Sequence, residues 1–187
     1  MSTGPGSAIT IRPIRAQDRA AIVEAFHALE PRSIYLRFFF DKKHLSDAEL
    51  HRLTEPEPDG MREAVLVATS PSGNGEKIVG LGHYIGDEES AELAFTVEED
   101  YQGRGIATSL LRRLIHLARE NGISRFEANV LAGNRPMLSV LRNSGLSVTE
   151  RERDGIVTMT LDLNGKAEHP TQTVTRQSAD DGSLVGR

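Results

Sequence analysis

Residues 91–111 read AELAFTVEEDYQGRGIATSLL, in which an apolar β-type run leads through a glycine-containing loop into a helix. Glycine tolerates positive φ and lets a ligand approach the backbone closely. The first N–H groups of a helix lack intrahelical partners and attract anions. The stretch therefore predicts a pyrophosphate cradle or, equally well on this pattern alone, an ordinary tight turn. The residues expected to form the cradle are Gly103, Arg104, Gly105, Ile106, Ala107 and Thr108.

Two other phosphate-binding motifs fit the loop less well. A Walker motif requires Lys followed by Ser or Thr after its glycines, and the loop lacks that pair. A Rossmann fingerprint has three glycines, but Thr108 occupies the third position. Glu127 lies about 20 residues farther on, as that fingerprint demands, yet it falls inside a predicted strand. Strands and helices also precede the loop, whereas a Rossmann domain usually opens with it.

Hydrophobic periodicity on both sides of the loop predicts the remaining elements. The predicted helices cover residues 18–30, 33–40, 103–120 and 134–144, and one more begins at the capping box of Ser46. The predicted strands cover residues 9–14, 63–69, 77–84, 91–97, 124–130, 146–153 and 156–163. This order predicts an α/β (α+β) fold with an open, twisted, mixed sheet of about seven strands and flanking helices, parallel where a helix intervenes.

The composition indicates one folded domain between two polar ends. The chain has 187 residues, of which 38% are hydrophobic and 26% charged, as is typical of a globular domain. We expect residues 1–8 to be flexible, residues 9–163 to form the domain and residues 164–187 to be disordered. Because no apolar run suits a membrane span or a signal peptide, we expect a cytoplasmic protein.

Residue counts exclude several classes of site. The chain contains no Cys, which excludes disulfide bonds, thiolate zinc sites and a cysteine nucleophile. Its six His are scattered without a metal-ligand spacing, so no metal site is expected. The net charge of −5 disfavours nucleic acid as a partner, because phosphate binding needs a basic face.

Two motifs resemble those of the GCN5-related N-acetyltransferases. Gln102-x-x-Gly105-x-Ala107 is similar to the acetyl-CoA pyrophosphate signature of that family. A second set is similar to its next motif, an Asn followed by a helix and a closing glycine, and consists of Asn134, Met137, Leu141, Gly145 and Leu146. The resemblance extends over residues 9–163. It implies the fold described above, an acetyltransferase activity and acetyl-CoA as co-substrate, bound in part by Gln102.

Three segments carry a narrower likeness, to the catalytic domains of bacterial protein lysine acetyltransferases. They are residues 11–15, 33–38 and 126–131. This resemblance implies protein lysine as the acceptor amine. A small-molecule amine acetyltransferase and a non-catalytic acyl-CoA-binding regulatory module stay open as alternatives. We expect a monomer or a homodimer that binds neither nucleic acid nor a membrane.

Glu92 is the candidate general base. A lysine ammonium has a pKa of about 10.4, so freeing its lone pair near pH 7 costs about 4–5 kcal/mol. A carboxylate in the cleft could take that proton, and Glu92 lies on the strand just before the cradle. Apolar residues flank it, so we expect burial to favour its neutral form. Lysine acetyltransferases place a catalytic glutamate here; the alternative from the residues alone is a solvated strand position.

The remaining candidates are expected to bind the coenzyme. The backbone of Phe95, Thr96 and Val97 should meet its pantetheine amides and its thioester carbonyl. Asn134 suits either a helix N-cap or a coenzyme contact, and Arg142 suits either a coenzyme phosphate or a solvated helix face. Many family members carry a Tyr general acid where this chain has Leu141, so protonation of the departing thiolate stays unassigned.

Overall fold

The computed structural model describes residues 8–55, 62–73 and 75–166. Its strands are β1 Thr10–Pro13, β2 Arg62–Ser72, β3 Gly75–Gly86, β4 Ser90–Val97, β5 Arg125–Leu131, β6 Leu146–Arg153 and β7 Ile156–Lys166. Its helices are α1 Arg19–Ala28, α2 Pro31–Phe38, α3 Asp47–Thr54, α4 Ile106–Glu120 and α5 Arg135–Arg142. None of the helices in these described ranges is long and apolar enough to cross a membrane.

The strands form one seven-stranded sheet in the order β1-β2-β3-β4-β5-β7-β6. Every neighbouring pair is antiparallel except β4 and β5, which are parallel because α4 connects them. The sheet is open, since β1 and β6 lie at its two edges. The predicted α/β fold with a mixed, open sheet of seven strands is therefore confirmed.

Apolar side chains fill both faces of the sheet. On one face the stripe of α4, including Leu110 and Leu114, packs against β2, β3, β4 and β7. On the other face α1 and α3 cover β2 and β3 through Ile22 and Leu50. Gly82 on β3 leaves room for the core on the α4 face, because a Cβ there would lie 2.9 Å from the Phe95 ring. Helices thus pack against β3 from both faces of the sheet.

Local backbone chemistry moves several predicted boundaries. The helix predicted over residues 33–40 begins two residues earlier, because Pro31 occupies its first turn, and ends at Phe38, because Phe39 adopts a positive φ of 65°. The long helix predicted from Gly103 begins only at Ile106, since Gly103 and Gly105 have positive φ.

The predicted end of the last strand at residue 163 is also too early. Strand β7 continues to Lys166 and pairs with Leu146 of β6 across a register shift. The predicted flexible N-terminus, apart from Ala8, and the predicted disordered tail beyond residue 166 lie outside the described residues.

A buried ion pair fixes β1 to the turn that enters α1. The guanidinium of Arg12 donates to both carboxylate oxygens of Asp18, at 2.7 and 2.9 Å. The backbone N–H of Arg15 donates to the same carboxylate at 2.8 Å. Arg12 also forms an ion pair with Glu76 on β3. These contacts, led by the hydrogen bond from Arg12, hold the pKa of Asp18 below its usual value.

We predict that Asp18→Asn lowers the free energy of unfolding by about 1–2 kcal/mol at pH 7, because a charged hydrogen-bond acceptor is lost. The pKa of Asp18 is lower in the folded than in the unfolded chain, so the carboxylate contributes fully to the free energy of unfolding at neutral pH. The contribution fades as the pH falls below about 4. Urea unfolding at pH 7 and below pH 4 measures the free energy of unfolding of variant and wild type. The difference between the two proteins should shrink at the lower pH.

Asp41→Asn is the matched control, because Asp41 is exposed and its one ion pair within the described ranges is with the exposed Lys43. Its effect should stay below about 0.5 kcal/mol at either pH. An Asp18→Asn protein as stable as this control at pH 7 would contradict a stabilising role for the pair.

Candidate active site

The parallel strands β4 and β5 pair at only three positions. These are Ser90 with Arg125, Ala91 with Phe126, and Glu92 with Glu127. Beyond them the two strands separate and leave a cleft of about 630 Å³, which lies within the range of small-molecule sites. The cleft is lined by residues 93–97 of β4, residues 128–130 of β5, the loop before α4, and parts of α2 and α5. An elongated ligand could lie between the strands.

The register of β4 directs part of its backbone into this cleft. The N–H of Glu98 donates to the carbonyl of Val79 at 2.9 Å, which places Glu98 in a hydrogen-bonded pair with β3. Because such pairs alternate along an antiparallel ladder, Thr96 faces β3 while Phe95 and Val97 face away from it. The backbone of Phe95 and Val97 thus points to the cleft, and its contact with pantetheine stays a prediction. The expectation that the backbone of Thr96 also meets the coenzyme is wrong, because its groups pair with β3.

The loop before α4 presents unpaired amides to the same cleft. Gly103 and Gly105 have φ of 72° and 76°, and Gly105 is the N-cap of α4 without a side-chain cap. The first helical hydrogen bond runs from the N–H of Ser109 to the carbonyl of Gly105 at 3.0 Å. The N–H groups of residues 106–108 precede that bond and lack intrahelical partners. Glycine backbone and helix terminus together fit a pyrophosphate.

Gln102 fixes this loop to the strand. Its side-chain amide donates to the carbonyl of Val97 at 2.9 Å and lies 3.5 Å from the hydroxyl of Ser33 on α2. This contact ties the cradle to the end of β4. The structure thus gives Gln102 a positioning contact, and its predicted contact with a coenzyme stays a prediction.

Two predicted cations lie outside the lining of the cleft. The guanidinium of Arg104 stacks on the ring of Tyr101, 4.9 Å from its centre. Arg142 donates twice to Glu150 on β6, at 2.7 Å each. That hydrogen-bonded pair raises the pKa of Arg142 and lowers the pKa of Glu150. Arg142 would have to release Glu150 before it could reach a phosphate.

Asn134 performs the capping role that was one of its two predicted interpretations. Its side-chain oxygen accepts from the N–H of Met137 at 3.3 Å and so caps α5. It also lines the cleft beside Met137, so a coenzyme contact stays compatible with the cap. Leu141, in the same helix, is fully buried in the core and can donate no proton.

A second cavity of about 290 Å³ lies on the face of the sheet covered by α1, α2 and α3. Most of its lining is apolar, including Ile22, Phe26, Leu29, Phe38, Leu53 and Val65. Three residues line both this cavity and the cleft: Arg37, Glu92 and Thr96. Glu92 therefore lies where the two spaces meet, which is where an acceptor and a donor approaching from opposite sides would come together.

The expectation that Glu92 is buried among apolar residues is wrong. Its neighbours Ala91 and Leu93 are buried on the opposite pleat, towards α4, whereas the side chain of Glu92 is exposed. Alternation along the strand thus separates Glu92 from the residues beside it in sequence.

Arg37 and His83 are site residues that the sequence analysis did not identify. Arg37 on α2 donates from Nη2 to Nε2 of His83 on β3 at 2.9 Å. Because a guanidinium only donates, Nε2 must accept and the ring proton must lie on Nδ1. Burial, and then the charge of Arg37, lower the pKa of His83 to about 3. No local pattern marks these residues, since only the packing of α2 brings them together.

Comparison with known proteins points to one family. The family described as "Acetyltransferase (GNAT) domain" matches residues 8–147. The chain is 32% identical over 138 residues to the acetyltransferase PA5475 of Pseudomonas aeruginosa, with 73% of each protein covered. Sequence similarity therefore spans most of the described fold.

Two solved structures are also similar to this chain. The GNAT domain of S. lividans PAT shares 31% identity and superposes with a TM-score of 0.69, covering 81% of this chain and 89% of that one. The yncA protein of Salmonella typhimurium, solved with its cofactor acetyl-CoA, shares 25% identity with a TM-score of 0.64, covering 86% and 96%.

The described residues contain no group of three His, Asp or Glu side chains arranged to hold a metal ion. They do contain a cleft between parting strands, with a strand backbone and a helix N-terminus that fit acetyl-CoA. With the family match over residues 8–147, these features show that the chain belongs to the GNAT acetyltransferase family and is an acetyl-CoA-dependent N-acetyltransferase.

Proposed function

We propose that the enzyme acetylates the ε-amine of protein lysine, with Glu92 as general base. The observation that carries this proposal is the position of Glu92, whose side chain lines both the cleft and the cavity on the other face of the sheet. A carboxylate at that junction can take a proton from an amine that enters from the cavity and attacks a thioester held in the cleft.

The chain's own groups would orient the donor. The free N–H groups of residues 106–108 would bind the pyrophosphate, and the backbone of Phe95 and Val97 would bind the pantetheine arm. A backbone N–H from β4 would also stabilise the negative charge that develops on the thioester oxygen. Acetyl-CoA supplies the activated acetyl group.

The reaction then requires one bond to form and one to break. The amine nitrogen attacks the carbonyl carbon, the C–N bond forms, and the C–S bond breaks to release a thiolate. The proton lost by the amine moves to Glu92. A thiol has a pKa of about 8.5, so the thiolate can leave without a protein acid and take a proton from water. The buried Leu141, where many family members have Tyr, is consistent with that course.

The acceptor class rests on the likeness of residues 11–15, 33–38 and 126–131 to bacterial protein lysine acetyltransferases. A small amine is the second candidate, favoured by the mainly apolar cavity of about 290 Å³ beside Glu92, which is large enough to enclose one.

We predict that Glu92→Gln lowers kcat by about 100-fold or more, because the variant cannot accept the proton. Its affinity for acetyl-CoA should be little changed, since the carboxylate is not needed to bind the donor. Thiol release with a lysine peptide measures kcat, and calorimetric titration measures the affinity. Glu152→Gln on the exposed surface of β6 is the control and should retain full activity. A Glu92→Gln enzyme with wild-type kcat would exclude Glu92 as the base.

Gly105→Ala should weaken acetyl-CoA binding by about 10-fold or more, because a Cβ would intrude where the pyrophosphate meets the amides. Gly73→Ala is a matched control. Both glycines have positive φ and neither added Cβ would contact the protein within 4 Å, but Gly73 lies in the β2–β3 turn. Both variants should lose similar stability, and only Gly105→Ala should lose affinity in calorimetric titration. Equal affinities in the two variants would contradict the cradle.

Mass spectrometry of a cell lysate treated with enzyme and acetyl-CoA distinguishes the two acceptor classes. We expect new acetyl-lysine sites with the wild type and none with Glu92→Gln. Thiol release with small amines but without new acetyl-lysine would select the second candidate. Acetyl-CoA binding without thiol release from either class would indicate a binding module instead.

A further inference from the structure

Helix α2 lies across the gap that opens between β4 and β5, since it contacts both strands. Its first turn lies near the phosphate cradle, where the hydroxyl of Ser33 is 3.5 Å from the side-chain nitrogen of Gln102. Its last turn carries Arg37, which lines both the cleft and the cavity, as do Glu92 and Thr96. The helix therefore runs from the cradle to the junction of the two spaces.

The two ends of the cleft differ in what they offer to a donor. At the outer end the strands are apart and the cradle begins, where Gln102 binds the carbonyl of Val97. At the inner end the strands are still paired, through Glu92 and Glu127. A donor with its pyrophosphate on the amides of residues 106–108 and its arm along β4 would therefore direct its acyl group towards the inner end.

Phe39 follows the last residue of α2 and has a strained backbone. Its φ and ψ are 65° and 7°, in the left-handed region that bulky residues rarely adopt. Helices often end on a left-handed residue, but that residue is usually glycine. Among the described residues only one other non-glycine, Asp154 in the β6–β7 turn, has positive φ. Such strain persists where the surroundings enforce it, often at a ligand site.

The phenylalanines on either side of Phe39 belong to an aromatic group next to the cavity. Phe38 lines the cavity, and its ring lies 6.0 Å from the ring of Phe26 and 6.4 Å from the ring of Phe40. Phe39 instead lines the cleft and is partly buried, and Leu36, one turn earlier, lines the cleft as well. The left-handed residue thus marks the change from the cavity to the cleft.

The charged residues that line the cleft are Glu30, Arg32, Arg37, Glu92 and Glu99. Three of them lie in the first turn of α2 and in the turn after β4, at the cradle end, and the other two lie at the junction. A hydrocarbon chain is stabilised by burial against apolar surface rather than by contact with charges. Near the inner end, α2 offers such a surface through Leu36 and Phe39.

We propose that Phe39 limits the length of the acyl chain that the enzyme accepts, by closing the inner end of the cleft behind an acetyl group. The ring occupies the space into which the third and fourth carbons of a longer chain would extend. This role accounts for a strained phenylalanine where glycine would suit the backbone. The inference rests on the donor placement proposed above, and it depends neither on the acceptor class nor on Glu92 as base.

Calorimetric titration of the full chain with CoA, acetyl-CoA and butanoyl-CoA measures three affinities without catalysis. Because two extra methylenes would meet the ring, the wild type should bind butanoyl-CoA at least about 10-fold more weakly than acetyl-CoA. Phe39→Ala should reduce that ratio to about 3-fold or less, since the removed ring leaves room for the chain. Its affinity for CoA, which has no acyl group, should stay within about 2-fold of the wild-type value.

Phe40→Ala is the matched control, because Phe40 is the adjacent phenylalanine, is 54% exposed and lies outside the lining of the cleft. This variant should leave the ratio of the two affinities unchanged. If Phe39→Ala does not fold, Phe39→Gly replaces it with the same expectation, because glycine tolerates the positive φ.

Equal affinities for the two donors in the wild type, or an unchanged ratio in the Phe39 variants, would overturn the inference. So would an equal change of the ratio in Phe40→Ala. Failure of the donor placement has a separate signature: Gly105→Ala and Gly73→Ala would then bind acetyl-CoA equally well, whatever the Phe39 variants do.

Discussion

The early separation of β4 and β5 is the constraint on which the site depends. Each strand stays paired along its other edge, β4 with β3 as far as Val97 and β5 with β7 as far as Leu131. Two rigid strands therefore diverge, and their inner edges keep N–H and C=O groups that a continuous sheet would pair. Such groups need partners. A donor that carries amides along its length can supply them, which explains why the break in pairing defines a coenzyme cleft.

In the proposed reaction, strand β4 would meet both substrates, because its cleft-facing backbone groups alternate with side chains that reach the other face of the sheet. The backbone of Phe95 and Val97 turns towards the cleft, while the side chains of Glu92 and Thr96 also reach the cavity on the helical face. In the proposed reaction, one strand, held on the α4 side by the core and along its edge by β3, would thus fix donor and acceptor relative to each other. Gln102 extends that rigidity to the phosphate cradle by binding the carbonyl of Val97.

Local signals predicted most of the fold, and tertiary contacts account for what they missed. The capping box at Ser46, the glycines before α4 and the turn at 154–155 act within a few residues, and each is found where the sequence placed it. The sequence left Glu92 either buried or solvated, and the structure exposes it because its flanking apolar residues face the opposite layer. Arg37 was missed because its meeting with His83, 46 residues away in the chain, depends on how α2 docks.

The contrast between Arg37 and Arg142 shows why a neutral partner matters. Arg142 pairs with the carboxylate of Glu150 through two hydrogen bonds, and its charge is cancelled where it lies. Arg37 is held by an imidazole and a phenyl ring instead. Desolvating a cation without a counterion is costly, and sequences seldom retain that cost without a compensating interaction. Here part of the compensation comes from the negative charges of Glu92 and Glu49, which oppose the lowering of the pKa of Arg37 by burial.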